Sequence, residues 1–303
     1  MKVGIVGTGL IGGSIGMGLK SLGSSMSDLE VVGWDVSDHN LQVAKKRFAI
    51  DRSVAFEECA GADVVFVCVP PADVILVSEG IVRHRQEETV ITDCSSVKSQ
   101  IARWSLDKPF FVPGHPMAGH EKGGPEFASS WMFRGAKWIL CPTRLTNPVA
   151  LQQVSDLVGK LEASVVLIDS AEHDRAVGFK SHLPHLLAGL LVESGHQYPN
   201  VGAGSWSDLT RVAGVDPQLW SQILTANHEE LSAIVGDFAQ RLLELKDHLE
   251  NGNQEAIRQF LVDVAKLKEP GRKSAMQSSA VGRDERSSRQ SEKKRTGRTS
   301  KGL

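Results

Sequence analysis

Residues 7–12, Gly-Thr-Gly-Leu-Ile-Gly, decide the fold, because they follow the strand-like run 2–6 directly and open a helical pattern. At such a junction Gly7 permits a tight turn, Gly9 lets the backbone approach a pyrophosphate, and Gly12 lets the helix pack closely on the strand. The free N–H groups and the positive dipole end of the helix then face the phosphates. The stretch therefore predicts a dinucleotide-binding unit, and a glycine turn without a ligand is the alternative.

Outward from this turn, short β-branched runs alternate with amphipathic helical stretches through the first half of the chain. Several runs are apolar throughout, as expected for parallel strands that helices cover on both faces. The pattern predicts an α/β domain over residues 1–168, built on a Rossmann-like, doubly wound sheet. The strand runs are 2–6, 30–34, 63–69, 89–92, 110–112, 137–140 and 164–168, and the helical stretches between them include 38–47 and 148–161.

The strand signals then stop, which predicts an all-helical C-terminal domain over residues 169–268. Ser170 is expected to cap a long helix that bends near Pro184, since proline lacks the donor that an unbroken helix needs. Apolar residues recur at three- and four-residue intervals over 231–249 and 257–264. Because these stripes are many for so short a domain, we expect a homodimer, with packing inside one chain as the alternative.

Composition narrows the class of protein. The 303 residues are 41% hydrophobic and 23% charged and contain no run of eighteen apolar residues, which disfavours both a membrane bundle and wholesale disorder. The strand-like run at residues 2–6 leaves no room for a secretion leader, so we expect a cytoplasmic location. Cys59, Cys68, Cys94 and Cys141 form no CxxC pair, which predicts reduced thiols and no metal site.

Residues 269–303 are expected to form a disordered basic tail. Residues 272–303 hold ten Lys or Arg against Asp284, Glu285 and Glu292, a net charge of +7, whereas the whole chain carries -2. With few large apolar residues, this segment cannot bury enough surface to offset its ordering entropy. A basic tail can contact nucleic acid or acidic lipid. Because no aromatic residues are interleaved, a solvated appendage without a partner is preferred, and no nucleic-acid or membrane partner is expected.

An acidic residue at the end of the second strand run bears on the choice of cofactor. Asp35 lies twenty-three residues after Gly12, where a carboxylate accepts hydrogen bonds from ribose hydroxyls and repels a 2′-phosphate. NAD is therefore favoured over NADP, although polar neighbours at 37–40 keep NADP open. Val69 and Pro70 close a buried strand at the sheet edge where ligands bind. The predicted cofactor-binding residues are Gly7, Gly9, Leu10, Ile11, Gly12, Asp35, Val69 and Pro70.

Four polar clusters, at residues 93–98, 114–121, 181–185 and 208–211, follow strand runs or lie in the helical part. Convergent His, Ser, Lys and Arg side chains beside a dinucleotide predict hydride transfer from a carbon that bears a hydroxyl, where a base takes the O–H proton. His115 is the candidate base, since a neutral imidazole suits this task near pH 7 and contributes about 10²- to 10⁴-fold in rate.

Each histidine also has a purely structural interpretation. His115 could instead be tied to a backbone carbonyl. His182 and His185 stand three residues apart, a spacing that metal ligands use, but no third ligand is evident. Substrate contact is preferred for His185, while packing stays equally open for His182. No role is assigned to His39, His84, His173, His196, His228 or His248, which fall in polar or helical surface patterns.

Five motifs in this order resemble the prephenate and arogenate dehydrogenases of tyrosine biosynthesis over residues 1 to about 268. Their succession is specific, although no single motif suffices. The resemblance implies oxidative decarboxylation of prephenate to 4-hydroxyphenylpyruvate with hydride transfer to NAD(P). The motifs are Gly-Thr-Gly-Leu-Ile-Gly-Gly-Ser at 7–14, Asp93 with Ser-Val-Lys at 96–98, Gly-His-Pro-Met-Ala-Gly at 114–119 with Glu121, Ser-His-Leu-Pro-His at 181–185, and Asp-Leu-Thr-Arg at 208–211.

The resemblance also implies roles for single residues. His115 would draw the proton of the ring hydroxyl as hydride passes to the nicotinamide, and Ser96 would orient that histidine. Glu121 would gate the pocket entrance. Arg211 would hold a substrate carboxylate with its guanidinium fork, unless it pairs with Asp208. The residues assigned to substrate binding are His185, Arg211, Glu121, Ser181 and Lys98.

The resemblance leaves the substrate open between a keto group and an ammonium on the side chain. The Leu-Pro-His triplet ending at His185 is more similar to the prephenate branch, and an arogenate dehydrogenase that forms tyrosine directly is the alternative. Two further alternatives are a β-hydroxyacid dehydrogenase, with Lys180 as its catalytic residue, and an NAD-binding redox sensor that turns nothing over.

Overall fold

The computed structural model describes residues 1–23, 28–120, 122–199 and 201–268. It divides the chain into two compact units, Met1–Val235 and a second that begins at Gly236. The expected basic tail, residues 269–303, lies outside the described residues.

Six parallel strands in the order β3-β2-β1-β4-β5-β6 form the main sheet of the first unit. The chain crosses over after β3, so the glycine turn that follows β1 lies at the centre of the sheet, where the strand order reverses. The two-residue strand β3 carries no sequence signal. The strands are β1 (Lys2–Val6), β2 (Glu30–Trp34), β3 (Arg52–Ser53), β4 (Val64–Val67), β5 (Val90–Asp93) and β6 (Phe111–Val112).

Helices cover both faces of this sheet, which confirms the predicted doubly wound architecture. Val3 and Ile5 of β1 point to one apolar cluster, and Val6 of the same strand belongs to the other. The first cluster contains residues of α1 (Leu10–Lys20) and α6 (Pro148–Lys160), and the second contains residues of α4 (Val74–His84) and α5 (Ser99–Trp104). Two shorter helices, α2 (Asp38–Lys46) and α3 (Phe56–Ala60), complete the layers.

A second, three-stranded sheet corrects the expectation of one parallel sheet. Its order is β7-β8-β9, with strands β7 (Gly114–Pro116), β8 (Lys137–Leu140) and β9 (Ser164–Leu167). β7 pairs antiparallel with β8, and β8 pairs parallel with β9. Pro113 separates β6 from β7, and because proline has no N–H it cannot extend the main ladder. The chain leaves the main sheet at this residue.

The described residues after β9 contain helices and no strand, which confirms the all-helical C-terminal part. The cap of the first helix differs from the prediction: Asp169, not Ser170, accepts hydrogen bonds from the N–H groups of Ala171 and Glu172. The expected irregularity near Pro184 is a π-helical turn, Gly178–His182. Since Pro184 has no N–H for the preceding turn, the wider turn accommodates it. The first helices are α7 (Ser170–Val177), α8 (Leu183–Gly195), α9 (Gly204–Thr210) and α10 (Pro217–Ala226).

A 3₁₀ turn, Arg211–Ala213, separates α9 from α10, and the long helix α11 (His228–Glu250) follows. In the second unit the described residues comprise the end of α11 and a helix over 254–268, α12. Both helices of this unit expose large apolar side chains, among them Phe238, Leu242, Phe260 and Leu261.

Candidate functional site

The glycine turn between β1 and α1 has the geometry that phosphate binding requires. Gly7 has φ +94°, and a Cβ there would lie 2.5 Å from the carbonyl oxygen of Cys68. A Cβ on Gly12 would collide with the carbonyl oxygen of Gly7, so this glycine allows helix and strand to pack closely. A Cβ on Gly9 would have no atom within 4 Å. The backbone at Gly9 is therefore open to a ligand.

A cavity of about 720 Å³ opens over this turn at the carboxyl ends of the strands. Its volume is within the range of about 300–1,000 Å³ typical of small-molecule sites. Gly12 lies beneath the turn and does not line it. The predicted site residues that line the cavity are Gly7, Gly9, Leu10, Ile11, Asp35, Val69, Pro70 and Ser96.

Asp35 is fixed at the rim of this cavity by donors from three neighbours. Its Oδ2 accepts hydrogen bonds from the Thr8 N–H at 2.7 Å and from the Asn40 amide at 3.2 Å. Its Oδ1 accepts one hydrogen bond, from the Ser37 N–H at 2.9 Å. Because a carboxylate oxygen can accept more than one hydrogen bond, Oδ1 keeps capacity for a ligand hydroxyl. The glycine turn and this carboxylate together fit the pyrophosphate and the ribose of a dinucleotide.

His115 lies in β7 and is almost fully buried, with 9% of its surface exposed. Its Nδ1 lies 2.9 Å from Nε2 of His173, while its Nε2 has no hydrogen-bond partner among the residues described. Burial lowers the pKa of His115 well below 6.5, and the positive charge of Lys98 lowers it further. The imidazole is therefore neutral at pH 7 and carries one open nitrogen.

His173 is the buried neighbour of His115 that sequence reasoning missed. It was assigned to the surface, but it is completely buried in α7. Its Nδ1 lies 2.7 Å from Oδ1 of Asp174, so the three side chains form the continuous series Asp174, His173, His115. The polar pattern of this segment led to the surface assignment. A polar segment can nevertheless be buried when each of its buried polar groups has a hydrogen-bond partner.

Lys98 is fully buried and does not line the cavity, and its assignment to substrate binding stays a prediction. Its ammonium pairs with the carboxylate of Asp93 and donates to the Gly114 carbonyl at 2.7 Å. Asp93 also accepts a hydrogen bond from the Gly114 N–H at 3.1 Å. A buried charge requires such a partner. The pair thus holds the backbone immediately before His115.

Ser96 lines the cavity two residues after Cys94, which follows β5 directly. It makes no hydrogen bond to His115 in the part of the chain that is described. The hydrogen-bond partner of the imidazole is His173 instead. The predicted orienting role of Ser96 therefore stays a prediction for the liganded protein.

The predicted substrate residues of the helical part gather around α8. Nδ1 of His185 lies 2.8 Å from the carbonyl oxygen of Ser181, and its ring stacks on Trp220 with centroids 3.6 Å apart. Trp220 lines the cavity, whereas His185 and Ser181 do not. Burial lowers the pKa of His185, the hydrogen bond to Ser181 opposes this, and the nearby charge of Arg211 lowers it further.

Arg211 is exposed and forms no ion pair with any described residue, so the pairing with Asp208 considered above is absent there. The 3₁₀ turn that carries it packs against α8. Its guanidinium is thus free to bind an anion close to His185. Glu121, the predicted gate, lies outside the described residues.

His182 packs in the interior, which was one of its two interpretations. It is 1% exposed, and its Nδ1 lies 3.1 Å from the Asn227 amide nitrogen. Burial lowers the pKa of His182 to about 4.

Within the described ranges no group of three His, Cys, Asp or Glu side chains is placed to hold a metal ion, and no helix is long and apolar enough to cross a membrane.

Comparisons with known proteins identify both halves of the chain. The family model for the nucleotide-binding domain of prephenate dehydrogenase matches residues 19–167, and the model for the dimerization domain of the same family matches residues 169–263. A prephenate dehydrogenase from Lactococcus lactis is 30% identical over 282 residues, an alignment that covers 88% of this chain and 77% of that protein.

Solved structures agree with these matches. Prephenate dehydrogenase from Aquifex aeolicus, in complex with hydroxyphenyl propionate and NAD+, is similar with a TM-score of 0.81 and 27% identity, over 89% of this chain and 97% of that one. Arogenate dehydrogenase from Synechocystis is similar with a TM-score of 0.78 and 26% identity, over 89% of this chain and 99% of that one.

Proposed function

The chain belongs to the prephenate dehydrogenase family, and from this premise we propose that it oxidatively decarboxylates prephenate to 4-hydroxyphenylpyruvate, with NAD as cofactor, in tyrosine biosynthesis. The observation that carries the proposal is the buried, neutral imidazole of His115 with its open Nε2. His115 does not itself line the cavity, but Gly114 before it donates its N–H to Asp93, and Ser95 and Ser96, which follow Asp93 closely, line the cavity.

The glycine turn and Asp35 would hold the cofactor. The open backbone at Gly9 and the N-terminus of α1 receive the pyrophosphate, and the carboxylate of Asp35 receives the ribose hydroxyls. Leu10, Ile11, Val69 and Pro70 line the same cavity as apolar contacts. When bound, the nicotinamide accepts the hydride. The same carboxylate repels a 2′-phosphate, which is why we propose NAD rather than NADP.

His115 supplies the base. Its Nε2 accepts the proton of the ring hydroxyl while the C–H bond of the same carbon gives up hydride, so a carbonyl forms at that carbon. The ring carboxylate then leaves as CO2, and its bonding electrons make the ring aromatic. The former carbonyl oxygen takes the proton back from His115 and becomes the phenol. His115 ends neutral, as it began.

The helical part would supply the substrate contacts. The free guanidinium of Arg211 suits a carboxylate of the dicarboxylate prephenate, because its planar fork matches two carboxylate oxygens. His185 and Ser181 lie on the adjoining turn and would contact the side chain of the substrate. Ser96 would approach the hydroxyl from the cavity wall, and Glu121 would gate the entrance.

An absorbance assay at the NADH band tests the proposal. Prephenate, arogenate and 3-hydroxyacids are supplied in turn, each with NAD and with NADP, and we expect turnover with prephenate and NAD. Turnover with arogenate alone would favour the alternative of an arogenate dehydrogenase, the activity named for the similar Synechocystis structure. Turnover of a 3-hydroxyacid would instead favour a β-hydroxyacid dehydrogenase. Cofactor binding without any turnover would mean that the protein is a sensor.

Replacing Arg211 by alanine should raise KM for prephenate by about 10- to 100-fold, the factor that corresponds to losing hydrogen bonds to a charged group. kcat should change little, because the ground state and the transition state share this contact. Arg211→Lys is the matched control. It keeps the positive charge but loses the planar guanidinium, so its KM should lie between those of the unmodified protein and Arg211→Ala. An unchanged KM in Arg211→Ala would remove this residue from the substrate site.

We also propose that the chain is a homodimer that buries the apolar faces of its C-terminal helices. The match of residues 169–263 to a dimerization domain supports this, as does the exposure of Phe238, Leu242, Phe260 and Leu261 in the second unit. The domain boundary would lie near residue 168, where the two family matches meet. Light scattering that gives the mass of one 32.8 kDa chain would contradict the dimer.

The cytoplasm is the compartment that we propose. All four cysteines are free thiols, and a reducing compartment keeps thiols in that state. Cell fractionation that recovers the protein outside the cytoplasm would contradict this.

A further inference from the structure

We propose that His173 and Asp174 are positioning residues that fix the tautomer of His115, placing its proton on Nδ1 and leaving Nε2 free to act as the base. The proposal rests on the function proposed above, in which His115 takes the hydroxyl proton. It concerns two buried side chains that do not line the cavity: His173, which contacts His115, and Asp174, which contacts His173.

The first step concerns the state of Asp174. Its Oδ1 accepts the N–H of Lys98 and its Oδ2 accepts the N–H of Ser99, both at 2.7 Å, at the beginning of α5. Burial raises the pKa of Asp174, but the hydrogen bonds from His173 and from these N–H groups outweigh it, so the net pKa is lowered. The carboxylate is ionised near pH 7 and can only accept hydrogen bonds. The 2.7 Å contact with His173 therefore requires a proton on Nδ1 of His173.

The second step follows from the first. A neutral His173 with its proton on Nδ1 has a bare Nε2, which can only accept. The 2.9 Å contact between this Nε2 and Nδ1 of His115 then requires the proton of His115 on Nδ1. Since a neutral imidazole carries one ring proton, Nε2 of His115 has a free lone pair. This is the nitrogen that has no partner among the described residues.

The third step concerns the charge that forms during reaction. When His115 takes the substrate proton it becomes an imidazolium in a buried site that already contains the ammonium of Lys98. Asp93 pairs with Lys98, so the anion left to balance the new charge is Asp174, acting through His173. A hydrogen bond from a charged donor is stronger than a neutral one. The series of Asp174, His173 and His115 thus stabilises the imidazolium, and His115 becomes neutral again when its proton returns to the phenol oxygen.

A structural role alone could also explain why these residues are buried. The Asn227 amide donates to the Asp174 carbonyl at 2.9 Å, so Asp174 joins α5, α7 and the segment before α11. The test therefore needs variants that preserve the fold and separate hydrogen bonding from packing. It also needs a measurement on the unmodified protein.

The measurement on the unmodified protein is a long-range ¹H–¹⁵N correlation spectrum of the histidine rings at pH 7. We expect His115 to carry its proton on Nδ1 and none on Nε2, with the His115→Asn variant assigning the signals. A proton on Nε2 of resting His115 would overturn the proposal. This result does not depend on which substrate the enzyme uses, so it stands even if the prephenate assay fails.

The variants are His173→Gln and His173→Leu. A glutamine amide oxygen can accept the hydrogen bond from Nδ1 of His115, whereas leucine cannot accept one. We expect kcat to fall about 100-fold or more in His173→Leu and about tenfold or less in His173→Gln, with KM for prephenate unchanged in both. His196→Leu, at an exposed histidine, is the matched control and should behave as the unmodified protein. Equal loss in both His173 variants, or none, would overturn the proposal.

Discussion

Replacing His115 by asparagine should lower kcat several hundred-fold or more and leave the affinity for prephenate nearly unchanged. The asparagine amide can still donate to Nε2 of His173, so His173 keeps a hydrogen-bond partner. Asparagine has no group where Nε2 of His115 lies, so the base is lost. General base catalysis contributes about 10²- to 10⁴-fold, which sets the size of the effect. Steady-state kinetics with prephenate and NAD measures it.

The pH profile of the unmodified enzyme checks the same residue. Because burial and neighbouring positive charge lower the pKa of His115 well below 6.5, the base stays unprotonated through neutral pH. We expect kcat/KM to fall only at pH values well below 6.5, where His115 of the free enzyme takes a proton. Turnover of His115→Asn within tenfold of the unmodified enzyme would remove His115 from the mechanism.

Replacing Lys98 by methionine should have the largest effect on stability, a loss of about 3–5 kcal/mol in the free energy of unfolding. Lys98 and Asp93 are both fully buried, so the substitution leaves an unpaired carboxylate in the interior. It also removes the donor to the Gly114 carbonyl, next to His115. Chemical denaturation measures the loss, and kcat should fall with it because His115 is no longer held.

An exposed ion pair provides the matched control. Lys246 and Glu250 pair at 2.7 Å with more than half of each side chain exposed, and Lys246→Met should cost less than about 1 kcal/mol. The double substitution Asp93→Asn with Lys98→Met should recover part of the loss, since no unpaired charge then remains buried. A loss in Lys98→Met no larger than in Lys246→Met would show that the buried pair is not what stabilises this region.

Local sequence was sufficient for most of the fold. The apolar runs predicted β1, β2 and β8 with the bounds that the structure has, and β1 and β2 are largely apolar because helices cover both faces of the main sheet. β7 was missed because Gly114 and Pro116 are poor strand formers and three residues are too few to show a period. Its pairing with β8 depends on a partner more than twenty residues away.

In the candidate site, too, the features that depend on neighbouring residues were predicted and those that depend on distant partners were missed. The glycine turn and Asp35 were predicted because their geometry follows from neighbouring residues. His173 was missed because its partner His115 is 58 residues away and its own segment is polar. One signal was available: His173, Asp174 and Val177 form the buried stripe of α7, a three- and four-residue spacing that marks an inward face. The burial of Lys98 was not predicted, because lysine is almost never fully buried without a partner and its pairing with Asp93 was not considered.

A crystal structure of the protein with NAD+ and hydroxyphenyl propionate tests the role of His115 most directly. We expect the hydroxyl oxygen of the ligand to lie about 2.6–3.2 Å from Nε2 of His115, within hydrogen-bond reach, and beside the nicotinamide in the cavity over the glycine turn. A hydroxyl beyond that reach, with another side chain in the place of His115, would contradict the mechanism.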